Sequence, residues 1–130
     1  AQLGLEDRVK FLGFLQGEPL RKLVADCRAV VLPSEWYENG PYSVMEALAA
    51  GKPVLGSRIG GIPELVRDGQ TGFTFRAGDA GEMAGAIEKL TALPEGEYRA
   101  LCQSAVDFAR EHFEAEKYCD TLLEWYGELK

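Results

Sequence analysis

The chain has 130 residues, 46% of them hydrophobic and 27% charged, which is the size and composition of one globular domain. Its formal net charge of −7 argues against nucleic-acid binding, because such surfaces depend on Lys and Arg contacts to phosphate. No apolar run approaches the roughly 20 residues that a membrane-spanning helix requires, and the opening residues lack the apolar core of a signal peptide. Any anion that binds must therefore be held by local donors rather than by the overall field.

The cysteines and the lone histidine carry no metal-binding pattern. Cys27, Cys102 and Cys119 are odd in number and their spacings fit no zinc motif, so we expect free thiols in a reducing cytosol. His112 is expected to be an ordinary residue near a helix end. The sequence therefore predicts no metal and a cytoplasmic location, with the membrane surface as a further place of action for a longer protein.

The first 75 residues alternate between strand and helix patterns. The predicted strands are short apolar or β-branched runs at 9–13, 29–32, 52–57 and 73–75. The predicted helices, with apolar residues at helical spacing, cover 18–27, 41–50 and 63–67. The continuous run at 29–32 indicates a strand buried on both faces. Pro41 suits the first helical position, and Gly51 suits the residue just past the helix end.

The second half is predicted to be helical throughout. Three helices are marked by apolar stripes, with a break at 93–96 and a joint at 111–114. The stripe of the last helix consists of Tyr118, Leu122, Trp125 and Leu129. We expect it to be a packing face, and any part of it left exposed would favour a homodimer.

This order of elements predicts an α/β fold: a truncated Rossmann-like parallel sheet of about four strands, with helices on both faces and a helical C-terminal extension. A complete doubly wound sheet usually has five or six strands. We therefore expect a single domain over 1–130 that lacks its opening strands.

A loop and a helix start after the run at 29–32 form the most informative segment. Such a helix start faces the crevice where parallel sheets bind ligands, and its first amides, those of Tyr42, Ser43 and Val44, are expected to be free to hold a phosphate. Pro41 has no N–H to offer. Glu38 before the helix and Glu46 inside it accept hydrogen bonds only, so hydroxyl pairs are their natural ligands. The pattern suits a nucleotide diphosphate sugar, although spacing alone favours a solvated Glu38 and an ordinary surface Glu46.

Neighbouring residues have two interpretations each. Trp36 and Tyr37 would either stack on a sugar or base or pack the loop against the domain, and we expect packing. Arg58 would either reach a phosphate or stay on the surface. Gly60 and Gly61 are expected to allow a tight turn and a close backbone approach to the ligand.

The segments PSEWYE (33–38), MEALAAGKPV (45–54), SRIGGIPE (57–64) and DGQTGF (68–73) together resemble the C-terminal domain of family-four retaining glycosyltransferases with the two-domain GT-B fold. The resemblance runs from about residue 9 to the C-terminus. It implies transfer of a sugar from a nucleotide diphosphate sugar to an acceptor with retained configuration, without a metal. It also implies an N-terminal acceptor domain against which the last helix packs.

The resemblance assigns roles to individual residues. It makes Glu38 the catalytic candidate near the donor sugar and gives Glu46 the ribose hydroxyls. It places the loop after the first run, at Gly13, near the base. The remaining donor-binding residues approach the diphosphate and the sugar, and they are Asn39, Gly40, Pro41, Tyr42, Ser43 and Val44.

The chain departs from the family pattern in two ways. The common Glu-Gly-Phe-Gly loop is Glu38-Asn39-Gly40-Pro41 here, so the local backbone must differ. The Arg and Lys that grip the diphosphate in the family lie upstream of residue 1, so the chain alone is expected to bind weakly and to be inactive.

An α/β domain of this kind also serves two other functions. The first is a non-catalytic nucleotide-binding or subunit-interaction module with the same fold. The second is a dinucleotide-dependent oxidoreductase, which the sequence disfavours because no G-x-G-x-x-G follows a strand.

Overall fold

The computed structural model describes residues 3–128. Three strands lie within the first 75 residues: β1 (Val30–Leu32), β2 (Val54–Ser57) and β3 (Gly72–Phe75). Six helices surround and follow them: α1 (Glu18–Asp26), α2 (Tyr42–Ala49), α3 (Ile62–Leu65), α4 (Ala80–Thr91), α5 (Glu95–His112) and α6 (Ala115–Glu128). None of these helices is long and apolar enough to cross a bilayer.

The sheet is parallel, in the order β1-β2-β3, with Val30 opposite Val54 and Leu55 opposite Phe73. Successive strand side chains point to opposite faces, so each face of β2 builds its own core. On one face Val54 packs with residues of α2, α3 and α5. On the other face Leu55 packs with β3, α4 and the beginning of α5. The α/β fold with helices on both faces of a parallel sheet is confirmed.

The predicted strand at 9–13 does not form. No strand pairing joins this segment to the sheet within residues 3–128, and Phe11 is 97% exposed. A β-favouring sequence becomes a strand only beside a partner that satisfies its backbone groups, and the described chain offers none here. The sheet therefore has three described strands rather than about four.

The strands differ in how completely they are buried. All four residues of the central strand β2 are buried, whereas Val31 of β1 is 40% exposed. The prediction that the run at 29–32 is buried on both faces is therefore wrong for β1. The reason is that Val30 and Leu32 pack on the core of one face, whereas Val31 points to the opposite face and belongs to neither core cluster.

The helices lie close to their predicted ranges. Pro41 precedes α2 instead of occupying its first position, with φ −68° and ψ 109°. The predicted break and joint between the last three helices are both present, at 92–94 and 113–114 rather than at 93–96 and 111–114. The last helix differs from expectation, because no described residue of α6 is buried. Its aromatic stripe, including Tyr118 and Trp125, is exposed rather than packed, and Leu129 lies outside the described residues.

Candidate functional site

The loop that follows β1 is anchored by two buried serines. Ser34 comes two residues after β1, and Ser57 is the last residue of β2. The Ser57 hydroxyl donates to the Ser34 carbonyl at 2.7 Å. Because both serines stand at the carboxyl ends of neighbouring parallel strands, this bond ties the loop to the edge where such sheets bind ligands.

Glu38 is half-buried in this loop, and one of its carboxylate oxygens is held by two donors. The Ser34 hydroxyl donates to Oε1 at 3.2 Å, and the indole N–H of Trp36 donates to the same atom at 2.9 Å. No hydrogen bond from residues 3–128 reaches Oε2. This oxygen is therefore the acceptor that Glu38 can offer to a ligand.

Two glycines of the next loop support the backbone around Glu38. The Gly61 N–H donates to the Glu38 carbonyl at 2.6 Å. A Cβ built on Gly60 would lie 2.7 Å from the Glu38 nitrogen, and one on Gly61 would lie 2.4 Å from the Asn39 carbonyl oxygen. Gly60 also has φ +58°, a backbone angle that residues other than glycine rarely adopt. The close approach expected of these glycines is made to the loop that carries Glu38.

The start of α2 leaves two amides unpaired. The Val44 and Met45 amides donate to the Pro41 carbonyl at 3.0 and 3.3 Å, so the prediction of a free Val44 amide is wrong. A turn at the helix start closes on Val44, which is itself fully buried. Within residues 3–128, the amides of Tyr42 and Ser43 have no acceptor. These two N–H groups carry the partial positive charge of the helix start.

Glu46 lies one turn further along α2, on the side that faces α1. With Gly17, Leu20 and Arg21 among its neighbours, it lines a groove of about 480 Å³ between the two helices. The groove is mostly apolar and Glu46 is exposed at its edge. Gly13 lies on the exposed segment that leads to α1, and it is not among the residues that line the groove.

The structure tests the alternative interpretations of Trp36, Tyr37 and Arg58. Trp36 and Tyr37 are 67% and 82% exposed, so the expectation that they pack the loop against the domain is wrong. Arg58 donates to the Thr74 carbonyl at 3.2 Å and pairs with Glu82, so its guanidinium is occupied within the domain.

Sequence reasoning missed Ser34 and Ser57 as parts of the site. A signal was present, since each serine directly ends or follows an apolar run predicted to be a buried strand. Trp36 was noticed as an aromatic ring, but its hydrogen bond to Glu38 was not foreseen. No group of three or more His, Cys, Asp or Glu side chains within 3–128 is arranged to hold a metal ion.

Comparisons with known proteins agree with this fold. The chain is 34% identical over 128 residues to the D-inositol 3-phosphate glycosyltransferase of Actinosynnema mirum, covering 98% of this chain and 30% of that protein. Structures of Anabaena HepE in complex with UDP and with UDP-glucose match with TM-scores of 0.86 and 0.84, each at 31% identity over 98% of this chain and 34% of that one. The chain thus spans about a third of the length of these relatives.

The family comparison covers most of the chain and includes every residue of the β1–α2 loop. The match extends over residues 1–112, from before α1 to the last residue of α5, and leaves α6 outside. The chain belongs to the family of group 1 glycosyl transferases.

Proposed function

We propose that this chain is the nucleotide-sugar-binding domain of a retaining glycosyltransferase, within a longer protein that also has an N-terminal acceptor domain. The observation that carries the proposal is the pair of unpaired amides, on Tyr42 and Ser43, at the helix start that follows the loop carrying the half-buried Glu38. Two amides at a helix start can hold a diphosphate without a basic side chain. Because the net charge of −7 repels anions overall, a diphosphate must be held by such local donors. The UDP and UDP-glucose complexes of HepE support the same ligand class.

The proposed roles follow the ligand from sugar to base. Glu38 binds the donor sugar as the catalytic candidate, through the oxygen that the loop leaves free. The turn from Asn39 to Val44, which includes Gly40 and Pro41, lies against the diphosphate. Glu46 accepts hydrogen bonds from the ribose hydroxyls at the edge of the α1–α2 groove, and Gly13 lies near the base.

The leaving diphosphate is stabilised in this proposal by protein groups rather than by a metal ion. We also propose a cytoplasmic location, at the membrane surface if the acceptor is there, which is supported by the three free cysteines. The exposed aromatic face of α6 is proposed to pack on the N-terminal domain, and a chain without that domain is expected to form homodimers through it. Sedimentation of the chain at rising concentration tests the dimer.

Titration of the chain with UDP, followed by amide NMR, tests the site. We expect the largest shifts at residues 40–46, around the unpaired amides. Shifts clustered elsewhere, or no shifts at millimolar UDP, would contradict the assignment. Addition of EDTA or of Mg²⁺ is expected to leave the binding curve unchanged.

A matched pair of variants tests the role of Glu46. Glu46→Ala is expected to weaken UDP-glucose binding by at least about tenfold, since hydrogen bonds to a carboxylate are lost. Glu88→Ala, which changes an exposed glutamate inside α4, is expected to have no effect. In the full-length protein, binding of UDP-glucose without sugar transfer to any acceptor would favour the non-catalytic module instead.

A further inference from the structure

Trp36 combines high exposure with a specific hydrogen bond. Its ring is 67% exposed, so it gains little from burial. Its indole N–H nevertheless donates to Glu38 Oε1 at 2.9 Å, a normal length for a bond to a carboxylate. An indole N–H is a donor only, and a carboxylate is an acceptor only, so the bond has one possible direction.

The same carboxylate oxygen is held from a second side by a rigid part of the domain. The Ser34 hydroxyl donates to Glu38 Oε1 at 3.2 Å, while the Ser34 carbonyl accepts from Ser57 at 2.7 Å. Ser34 and Ser57 are both buried. Glu38 is thus fixed through one oxygen between an exposed indole and a buried serine.

We infer that Trp36 is a positioning residue for Glu38: its indole N–H, together with the Ser34 hydroxyl, holds one carboxylate oxygen so that the other stays directed to the donor. The inference rests on the proposed function, because it takes Glu38 as the group that binds the donor sugar. Two donors on Oε1 remove the rotational freedom that a glutamate side chain otherwise loses on binding a ligand. Trp36 therefore acts through Glu38 and not by stacking on the ligand.

The hydrogen bond is tested first in the free chain. The protein has two tryptophans, so its NMR spectrum contains two indole N–H signals, of which Trp125 on α6 is an internal reference. Glu38→Ala is expected to move the Trp36 signal and to speed its exchange with solvent. The Trp125 signal is expected to stay in place. An unchanged Trp36 signal overturns the inference, whatever the ligand results are.

The effect on binding is tested by a double-mutant cycle with UDP-glucose. Trp36→Phe keeps an aromatic ring and is expected to weaken binding about 3- to 10-fold, the range for one hydrogen bond. In a Glu38→Ala background the same change is expected to have no further effect, because the group on which Trp36 acts is gone. Tyr37→Phe, which also removes one polar hydrogen from an exposed ring of this loop, is expected to bind normally.

The outcomes separate this inference from the proposed function. If Glu38→Ala leaves UDP-glucose binding unchanged, the proposed role of Glu38 fails, and the inference fails with it. If Glu38→Ala weakens binding but Trp36→Phe does not, only the inference is overturned. An equal loss from Trp36→Phe in both backgrounds also overturns it, because Trp36 would then act on the ligand directly.

Discussion

The contact between Gly61 and the Glu38 loop can be tested by adding a single methyl group. A Cβ at residue 61 would lie 2.4 Å from the Asn39 carbonyl oxygen and 3.2 Å from the Glu38 carbonyl oxygen. Carbon and oxygen atoms are comfortable at roughly 3.3–3.6 Å, so Gly61→Ala requires a backbone displacement of about 1 Å. The neighbouring atoms are main chain, and they cannot move aside as a flexible side chain would.

The expected magnitude is a balance of two opposing effects. The φ of −83° at Gly61 is ordinary for alanine, so restricting the unfolded chain alone would stabilise the variant by about 0.4–1 kcal/mol. Inserting a methyl group into a tight contact costs about 1–3 kcal/mol. The difference between the two ranges is about 0–2.6 kcal/mol, so we expect Gly61→Ala to lower the free energy of unfolding by about 1.3 kcal/mol.

Urea unfolding followed by circular dichroism measures this loss, with Gly85→Ala as the matched control. Gly85 lies inside α4 and has open space around its Cβ position, so alanine there is expected to raise the free energy of unfolding by about 0.5–1 kcal/mol. The two Gly→Ala changes should thus have opposite signs. If Gly61→Ala and Gly85→Ala stabilise the chain equally, the steric argument is refuted. The close contact of Gly61 with the backbone around Glu38 would then be absent.

Two further predictions concern pH. The Arg76 backbone N–H and the Arg58 guanidinium hold the pKa of Glu82 below its usual 4.5. The ionised Glu82 therefore stabilises the fold above pH 4.5, and this stabilisation is lost as the pH falls through the lower pKa that Glu82 has in the folded protein. We expect Glu82→Gln to have a lower free energy of unfolding than the parent near neutral pH, and to lose less of it when the pH falls below about 4.5. Urea unfolding at a series of pH values measures this, and equal pH dependence of the two proteins would contradict it. Burial raises the pKa of Tyr98 to about 12, and the Tyr98 hydroxyl donates to the Arg28 carbonyl at 2.7 Å. The stabilisation that the protonated hydroxyl gives to the fold is therefore complete below pH 10 and is lost as the pH rises through 12. Ultraviolet titration should therefore show one tyrosine ionising near pH 12 that Tyr98→Phe removes, and an unchanged curve would disprove the assignment.

Local patterns predicted most of the elements because each is determined by nearby residues. Gly51 ends the second helix and a polar turn precedes the strand at 72–75, and both signals lie within a few positions of the boundary that they set. The segment at 9–13 failed for the opposite reason. Its residues favour a strand, but strand formation depends on a partner strand elsewhere, and composition carries no information about one.

The site was predictable in its elements and not in its contacts. Placing Glu38, Tyr42 and Ser43 at a loop-to-helix junction needed only the order of strands and helices. The bond from Trp36 to Glu38 depends on loop dihedral angles, and the contact of Gly61 with Asn39 depends on how two separate loops meet. Neither follows from periodicity. The prediction for Val44 failed because its amide makes a 3₁₀-type bond to the carbonyl of Pro41, three residues before it, whereas a regular first helical turn would leave that amide free.

The interlocking of the 37–39 backbone with Gly60 and Gly61 has a practical consequence for redirecting specificity by loop exchange. A segment grafted from a relative brings its own main-chain path, and here that path must fit against a turn more than 20 positions downstream whose two glycines leave no room for adjustment. A graft of the first loop alone is therefore expected to collide with its neighbour. Loop exchanges between family members should therefore replace two segments together, the loop around 37–39 and the turn with Gly60 and Gly61, both taken from the same relative.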